Sequence, residues 1–327
     1  MKISDSLPSE QIEKDSRTRP LSVSVVIPSY NHARFVGKAI LSVWAQTRPP
    51  DEILLVDDGS SDGTAGVIEP LAARLRCSFR RHEGLGATYN FGVREARGDV
   101  VAFLESDDVW EPTYLEETLG FLESHREVAW VSTARRLIDE RGEPTGEEFR
   151  KRTEDVRFTI ESFLERDLGF SSTPVVRREC LLAVGPFATD IFAADNDMML
   201  RFSLRYPMAH LNRALYLHRR HEANTSGDLL RSTLETTRIL ERFRDEHPDL
   251  AAAQVRLLRK CLAKYQGMAG MLFLLSGSDA SPEARRLLWQ AVLNHPTKPK
   301  HWRRWIGGLV LGPGGYGALR RLWRSYR

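Results

Sequence analysis

The stretch Val100-Val101-Ala102-Phe103-Leu104-Glu105-Ser106-Asp107-Asp108-Val109-Trp110 constrains this chain more than any other. Five apolar residues in a row, opened by Gly98-Asp99, read as a strand buried on both faces of a parallel sheet. Such a strand ends inside the protein, and this one runs out into Glu105, Asp107 and Asp108. Carboxylates crowded at a buried strand end repel one another and are costly to desolvate unless a cation lies between them. In open α/β sheets the carboxyl ends of the strands are where ligands bind. Hard oxygen donors there suit Mg²⁺ or Mn²⁺, which in turn binds a diphosphate. Taken alone, the same acids also read as a solvated turn that caps the next helix.

The chain upstream repeats one pattern. Val23-Ser24-Val25-Val26-Ile27 predicts a buried strand that stops at Pro28-Ser29-Tyr30-Asn31. Val36, Ala39, Ile40, Val43 and Trp44 then share one helical face, ended by Pro49-Pro50. Ile53-Leu54-Leu55-Val56 predicts a second strand, running into Asp57-Asp58-Gly59-Ser60-Ser61-Asp62-Gly63-Thr64. A helix through Val67, Ile68 and Leu71, a strand at Cys77 to Arg80, and a helix from about Ala87 to Ala96 lead into the acidic strand. Strands and helices in strict alternation make a doubly wound, mainly parallel sheet the economical architecture. Two strand ends then carry acids at the same sheet edge. By themselves Asp57 and Asp58 read as turn residues; beside the second acidic turn they read as partners of a uracil or ribose.

Other classes recede. A phosphate-cradling Gly-x-Gly-x-x-Gly would directly follow the first strand, where Pro28-Ser29-Tyr30-Asn31-His32 stands instead, which argues against a dinucleotide oxidoreductase. The net charge of +3 over 327 residues does not mark a nucleic-acid binder. Cys77, Cys180 and Cys261 are too dispersed for a disulfide framework or a metal knuckle. The polar, charged residues Met1 to Pro20 read as a disordered lead rather than a signal peptide, and no apolar run spans a bilayer. A soluble, cytoplasmic protein is the expectation.

The segments from Val25 to Asn31, Ile53 to Thr64 and Phe103 to Asp108 together resemble glycosyltransferase family 2. The resemblance runs in order from about Ser22 to Ser226. It implies a GT-A fold and an inverting, metal-dependent enzyme that uses a nucleotide-sugar, UDP-linked by expectation. It implies donor contacts at Pro28, Tyr30, Asn31, Asp57, Asp58, Asn90, Asp107 and Arg219. Asp108 with Asp107 is the implied metal motif. Two positions depart from the family pattern: Glu105 stands where Asp is usual, and Tyr89 where Arg often precedes Asn90.

The following residues fit the acceptor side of such an enzyme. After a helix from Thr113 to Ser124 and a strand at Val128 to Ser132, Arg135 to Asp155 reads as a charged loop. Ser171-Ser172-Thr173 reads either as a plain turn or as part of the family's strand before its acceptor helix. Val184 to Arg201 resembles the family segment that carries the catalytic base, which places that role on Asp195, with Ala194 replacing a Glu partner. An acid at a helix start is favoured as the carboxylate, and Asp195 reads equally as a helix cap. Asp197 is two residues on and should point elsewhere. Leu215 to Ser226 resembles the family's closing loop, with Arg219 set against the leaving diphosphate and His221 against the metal.

From about Asp228 the chain reads as a helical appendage, with Leu250, Leu257, Leu258, Cys261 and Tyr265 on one face. The expected layout is a lead over 1–20, a catalytic domain over 21–227 divided near residue 110, the appendage over 228–297, and a basic tail over 298–327. That tail holds six arginines, three tryptophans and no acid between His301 and Arg327. It suits either a membrane interface or packing of Trp302, Trp305 and Trp323 onto the protein. The expected function is sugar transfer to a saccharide or lipid-linked hydroxyl in cell-surface polysaccharide or glycolipid assembly. The alternative is a catalytically silent sugar-nucleotide-binding or scaffold protein with the same fold, which Ala194 and Glu105 leave open.

Overall fold

A computed structural model describes residues 19–149, 156–166, 174–222, 228–276 and 281–310. The expected lead up to Thr18, the Ser171-Ser172-Thr173 turn, Asn224 to Ser226, and the tail from Leu311 including Trp323 lie outside the described residues. The chain divides into two compact units, residues 1–159 with 169–222, and residues 160–168 with 223–327.

In the first unit, β1 (Val23–Ser29) is buried along its whole length and leads to α1 (Val36–Trp44). The predicted apolar face of α1 is fully buried at Val36, Ala39, Ile40 and Val43. Next come β2 (Glu52–Asp57), α2 (Thr64–Ile68), a 3-10 turn over Glu69–Arg74, β3 (Arg76–Phe79), α3 (Leu85–Glu95) and β4 (Val100–Phe103). These four strands pair in parallel in the order β3-β2-β1-β4, so β2 and β4 flank β1 and all end on one edge. α3 crosses β1 at Gly92, where a Cβ would stand 2.4 Å from Val26 Cγ1. Only glycine lets the helix come so close.

The remaining elements are β5 (Val109–Trp110), α4 (Tyr114–Ser124), β6 (Trp130–Ile138), β7 (Pro144–Phe149), β8 (Val156–Phe158), α5 (Ile160–Arg166), β9 (Val175–Arg177), α6 (Arg178–Val184), α7 (Ala194–Arg205) and β10 (Met208–Arg219). The sheet continues β4-β9-β6-β10-β5, with β7 paired to β6 and β8 to β10. β9 runs antiparallel to both β4 and β6, while β6 and β10 are parallel, so the second half is mixed. Two expected loops are strand. Arg135 to Ile138 extends β6, which turns at Gly142 (φ 100°) into β7, and Leu215 to Arg219 completes β10. Both segments pair with distant partners, and that pairing outweighs their charged, loop-like composition.

The second unit is helical: α5, α8 (Leu229–Glu246), α9 (Ala252–Ser276), α10 (Ser281–Asn294) and α11 over residues 299–310. The Asp228 side chain caps α8 by accepting from the Arg231 N–H at 2.9 Å. On α9, Leu258 and Cys261 are buried, and the Cys261 thiol donates to the Leu164 carbonyl of α5. Met271, Leu274, Ala284 and Leu288 form a small core against which Phe273 and Trp305 pack. Among the described residues no helix is long and apolar enough to cross a membrane.

Candidate active site

Both acidic turns lie on the edge where β1, β2 and β4 end, and their local chemistry differs. After β2, Asp57 accepts from the Ser60 N–H at 2.9 Å and its hydroxyl at 2.6 Å, which closes the turn. Asp58 accepts from the N–H groups of Glu83 and Gly84 at 2.8 and 2.9 Å, with His82 Nδ1 at 2.8 Å from the same carboxylate. These carboxylates organise two loops, the local duty that their reading as turn residues describes. The feature left facing outward is a stack of Tyr30 on His82, ring centroids 4.1 Å apart. Asn31, with φ at 54°, turns the chain out of β1; its N–H donates to Ser60 and its side-chain oxygen accepts from Ser61. Pro28 lies buried within β1 opposite Val56.

After β4 the donors are side chains. Asp107 Oδ2 stands 3.0 Å from His221 Nε2 and 3.9 Å from His32 Nε2. Ligand atoms of His32, Asp107 and His221 all lie within 4.8 Å of one another, a spacing that fits a metal ion. Burial raises the proton affinity of Asp107, but the hydrogen bond from His221 and the charge of both imidazoles outweigh it and hold the carboxyl below its ordinary range. Asp108, expected at the metal together with Asp107 and His221, faces inward. It is buried, accepting from the Arg219 N–H at 2.7 Å and from the Tyr216 hydroxyl, with His218 Nδ1 at 3.3 Å. Burial and the neighbouring Asp107 push its carboxyl up. Asp107 thus stands beside two imidazoles, and Asp108 ties the turn to β10.

Arg219, expected as a donor contact, is held by the backbone. Its side chain is fully buried, donating to the carbonyls of Asp107 (2.7 Å), Asp139 (3.0 Å) and Glu140 (3.1 Å). A guanidinium bound to backbone carbonyls beneath the β6–β7 hairpin fixes the acidic turn. Asn90, expected as a donor contact, bridges to the turn before α7. Its amide donates to the Phe187 carbonyl at 2.9 Å and accepts from the Phe187 N–H at 2.7 Å. Beside it, a Cβ on Gly86 would stand 2.0 Å from the Ala188 carbonyl oxygen. These contacts pin α3 to the turn before α7.

That turn delivers Asp195. The N-cap position is Ala193 and Asp195 is the second residue of α7, so it is not the cap. Burial pushes its carboxyl up, outweighing the N–H groups of the helix start that would favour the carboxylate. Asp197 points away and pairs with Arg201 at 2.9 Å, as its helical phase requires. The two departures from the family pattern meet: the Tyr89 hydroxyl donates to Glu105. Burial raises Glu105 well above the carboxylate range, and the charges of Asp107, Asp108 and Asp195 add to the effect. Sequence reasoning missed His32, Tyr216 and His218. His32 was signalled only by its place directly after β1, the neighbour of β4.

Residues 24–181 match the family model described as Glycosyl transferase family 2. The chain is 43% identical over 100 residues to an uncharacterised glycosyltransferase of Nostoc sp., covering 29% of this chain and 31% of that protein. It is 29% identical over 220 residues to the chondroitin synthase of Escherichia coli, covering 66% of this chain and 32% of that protein. It therefore spans about a third of the length of these curated relatives. A crystal structure of S. aureus TarS in complex with UDP-GlcNAc matches with a TM-score of 0.70 at 17% identity, over 94% of this chain and 93% of that chain. At that identity the likeness is one of fold, and it places the mixed sheet with its C-terminal helices in the GT-A class. With the two acidic strand ends in register on one sheet edge, residues 24–181 are a glycosyl transferase family 2 domain.

Proposed function

We propose that the chain is an inverting glycosyltransferase that moves a sugar from a UDP-linked donor to a hydroxyl acceptor in polysaccharide or glycolipid assembly. The observation that carries this reading is the meeting of a metal-capable cluster, His32, Asp107 and His221, with a buried carboxyl of raised proton affinity, Asp195, on one domain. His32, Asp107 and His221 would hold a divalent ion, which when bound supplies positive charge to a departing diphosphate. Tyr30 stacked on His82 offers a flat face to the nucleobase. Asp195 takes the acceptor proton: the acceptor oxygen bonds to the anomeric carbon as the bond to the diphosphate breaks, and the proton moves to an Asp195 carboxylate oxygen. A carboxyl raised by burial is a stronger base than a solvated one, which suits this task. The names of the TarS complex and of chondroitin synthase support the donor class and the polymer context.

The test is release of nucleoside diphosphate from a panel of sugar nucleotides with and without Mn²⁺. Turnover that requires both a donor and the metal is expected. Binding without turnover for every donor would favour the silent sugar-nucleotide binder instead.

The helical unit supports a place at the inner face of the cytoplasmic membrane. Trp289, Trp302 and Trp305 form one aromatic cluster, and Trp289 and Trp302 are each 38% exposed. Leu293, Ile306, Leu309 and Val310 are exposed apolar residues of the same helices, and Lys298, Lys300 and Arg303 are exposed among them. No Asp or Glu occurs from His295 to Arg327. Each basic residue near an anionic leaflet contributes about 1 kcal/mol. Co-sedimentation with anionic vesicles should fall sharply in the variant Lys298→Glu, Lys300→Glu, Arg303→Glu. Equal sedimentation of variant and wild type would remove the membrane from this reading.

A further inference from the structure

We propose that the helical unit carries a binding site for a phosphate group, built between α9 and the turn into α11, with the buried imidazole of His301 as its inner donor. The proposal does not depend on sugar transfer. Where the phosphate is a lipid headgroup, it gives the membrane reading above a defined anchor.

The turn into α11 is closed by its own hydrogen bonds. The Lys298 N–H donates to the His295 carbonyl at 3.2 Å, the His301 N–H to the Lys298 carbonyl at 3.0 Å, and Trp302 Nε1 to the Pro296 carbonyl at 2.8 Å. These bonds hold His295, Lys298, Lys300 and His301 in one short arc, with the two imidazole centroids 5.9 Å apart. α11 then lies against α9 at Gly267, where a Cβ would stand 3.1 Å from Arg304 Nη1 and 3.2 Å from His301 Nδ1. Only glycine leaves room for a guanidinium and an imidazole to rest so close to that helix. His301 is 6% exposed, and its Nδ1 is buried with no hydrogen-bond partner. Leaving a buried polar nitrogen unpaired is costly, and a ligand oxygen would pair it.

The charge around this nitrogen is of one sign. Neither α9 nor residues 295–327 contains an Asp or Glu, while α9 contributes Arg256, Arg259, Lys260 and Lys264. Acids of the neighbouring helices are engaged along those helices, Glu235 with Arg238 on α8 and Glu283 with Arg286 on α10. Burial and the positive charges of Arg304, His295, Lys300 and Lys298 push the His301 imidazole down to about 4. Burial, Lys260 and Lys298 lower His295 in the same way. An imidazole that merely fills a core sits among apolar groups, whereas this one sits among cations that its own charge would oppose. Converging cations without an acid describe the surroundings of a bound anion. Phosphate suits these donors, because its several oxygens meet a neutral Nδ1–H, a guanidinium and an ammonium at once.

Full-length protein carrying nitrogen-15 histidine is titrated with inorganic phosphate, with chloride at matched ionic strength, and with phosphatidylcholine vesicles containing phosphatidic acid. The ring signals of His301, identified by their loss in His301→Leu, are followed by NMR. A saturable shift with phosphate assigns a soluble ligand, and a shift with phosphatidic acid alone assigns a lipid headgroup; either supports the site, and chloride should do nothing. His301 is buried and uncharged at neutral pH, so His301→Leu leaves the surface charge as it is. Diffuse attraction to a membrane therefore predicts no change in this variant. The site predicts a loss of about tenfold or more in affinity, read at the neighbouring His295 ring, because a hydrogen bond to a charged group is removed. Lys298→Gln with Lys300→Gln alters only exposed residues and should weaken the same binding, most at low ionic strength. Neither that variant nor the wild-type shift depends on how His301→Leu folds. A His301 signal that ignores both phosphate and phosphatidic acid, or equal affinity in His301→Leu and wild type, overturns the site. If vesicle binding is lost in Lys298→Glu, Lys300→Glu, Arg303→Glu but kept in His301→Leu, the membrane reading stands and this site fails.

Discussion

The turn after β2 and the turn after β4 look alike as sequence and differ as chemistry. Each places two adjacent aspartates at the end of a buried strand, on either side of β1. In the first turn the principal donors are backbone N–H groups, from Ser60 to Asp57 and from Glu83 and Gly84 to Asp58. Those donors come from the chain itself and cannot leave, so these acids hold loops together. In the second turn Asp108 is held by β10, and Asp107 faces two imidazoles, which can give up a proton and accept a metal. A carboxylate facing exchangeable partners is available for chemistry, whereas one held by backbone N–H groups serves architecture.

The largest test lies in a third acid, Asp195, at the start of α7. Asp195→Asn should cut transfer by about 10²- to 10⁴-fold, the usual contribution of a general base, while donor binding persists. Steady-state rates paired with donor binding by calorimetry check it; near-normal turnover would move the base elsewhere.

Asp58→Asn sharpens the contrast between the turns. Replacing a carboxylate that accepts from two part-buried N–H groups should cost about 1–2 kcal/mol in urea unfolding, because one donor loses its partner and the other its charge assistance. Mn²⁺ binding should be unchanged. A stability equal to wild type would break the comparison.

Asn90→Ala should cost about 1–2 kcal/mol, as it removes both hydrogen bonds to Phe187. Because that clamp sets the turn before α7, kcat should fall while the apparent affinity for the donor holds. A change confined to donor affinity would restore Asn90 as a donor contact.

The smallest effect concerns pH and has a definite sign. Burial raises the folded-state proton affinity of Asp195 above its ordinary value of 3.8. The folded state then binds the proton more tightly than the unfolded state, so this group's stabilising contribution is complete below pH 3.8 and is lost as pH rises through the folded value. Asp195→Asn should therefore raise Tm at neutral pH, and the gain should vanish toward pH 3.8. A thermal scan at both pH values decides; a neutral-pH loss of stability would show that the carboxylate is better solvated than its burial implies.

Much of the first half was legible because its signals are local. Apolar runs, the 3.6-residue period of α1 and the acids at strand ends act within a few residues, and the strand–helix alternation then dictates a parallel sheet. The second half was less legible because β6, β7 and β10 take their form from partners far along the chain. Arg135 to Ile138 is strand since Tyr216 to Arg219 lies beside it, and its charge pattern carries no trace of that pairing.

By itself, then, the sequence determined that acids would gather at one edge of an α/β sheet, with a further acid at the start of a later helix. Tertiary structure alone decided which acid does what. Asp107 and Asp108 are neighbours in the chain, yet β10 arrives on one side and turns Asp108 inward onto Tyr216 and the Arg219 N–H. Asp107 is left to His32 and His221, one contributed from just beyond β1 and the other from just beyond β10. The same packing buried the Arg219 guanidinium under the β6–β7 hairpin and joined Tyr89 to Glu105. A side chain's direction at a strand end depends on which distant donors surround it, and no local pattern encodes that.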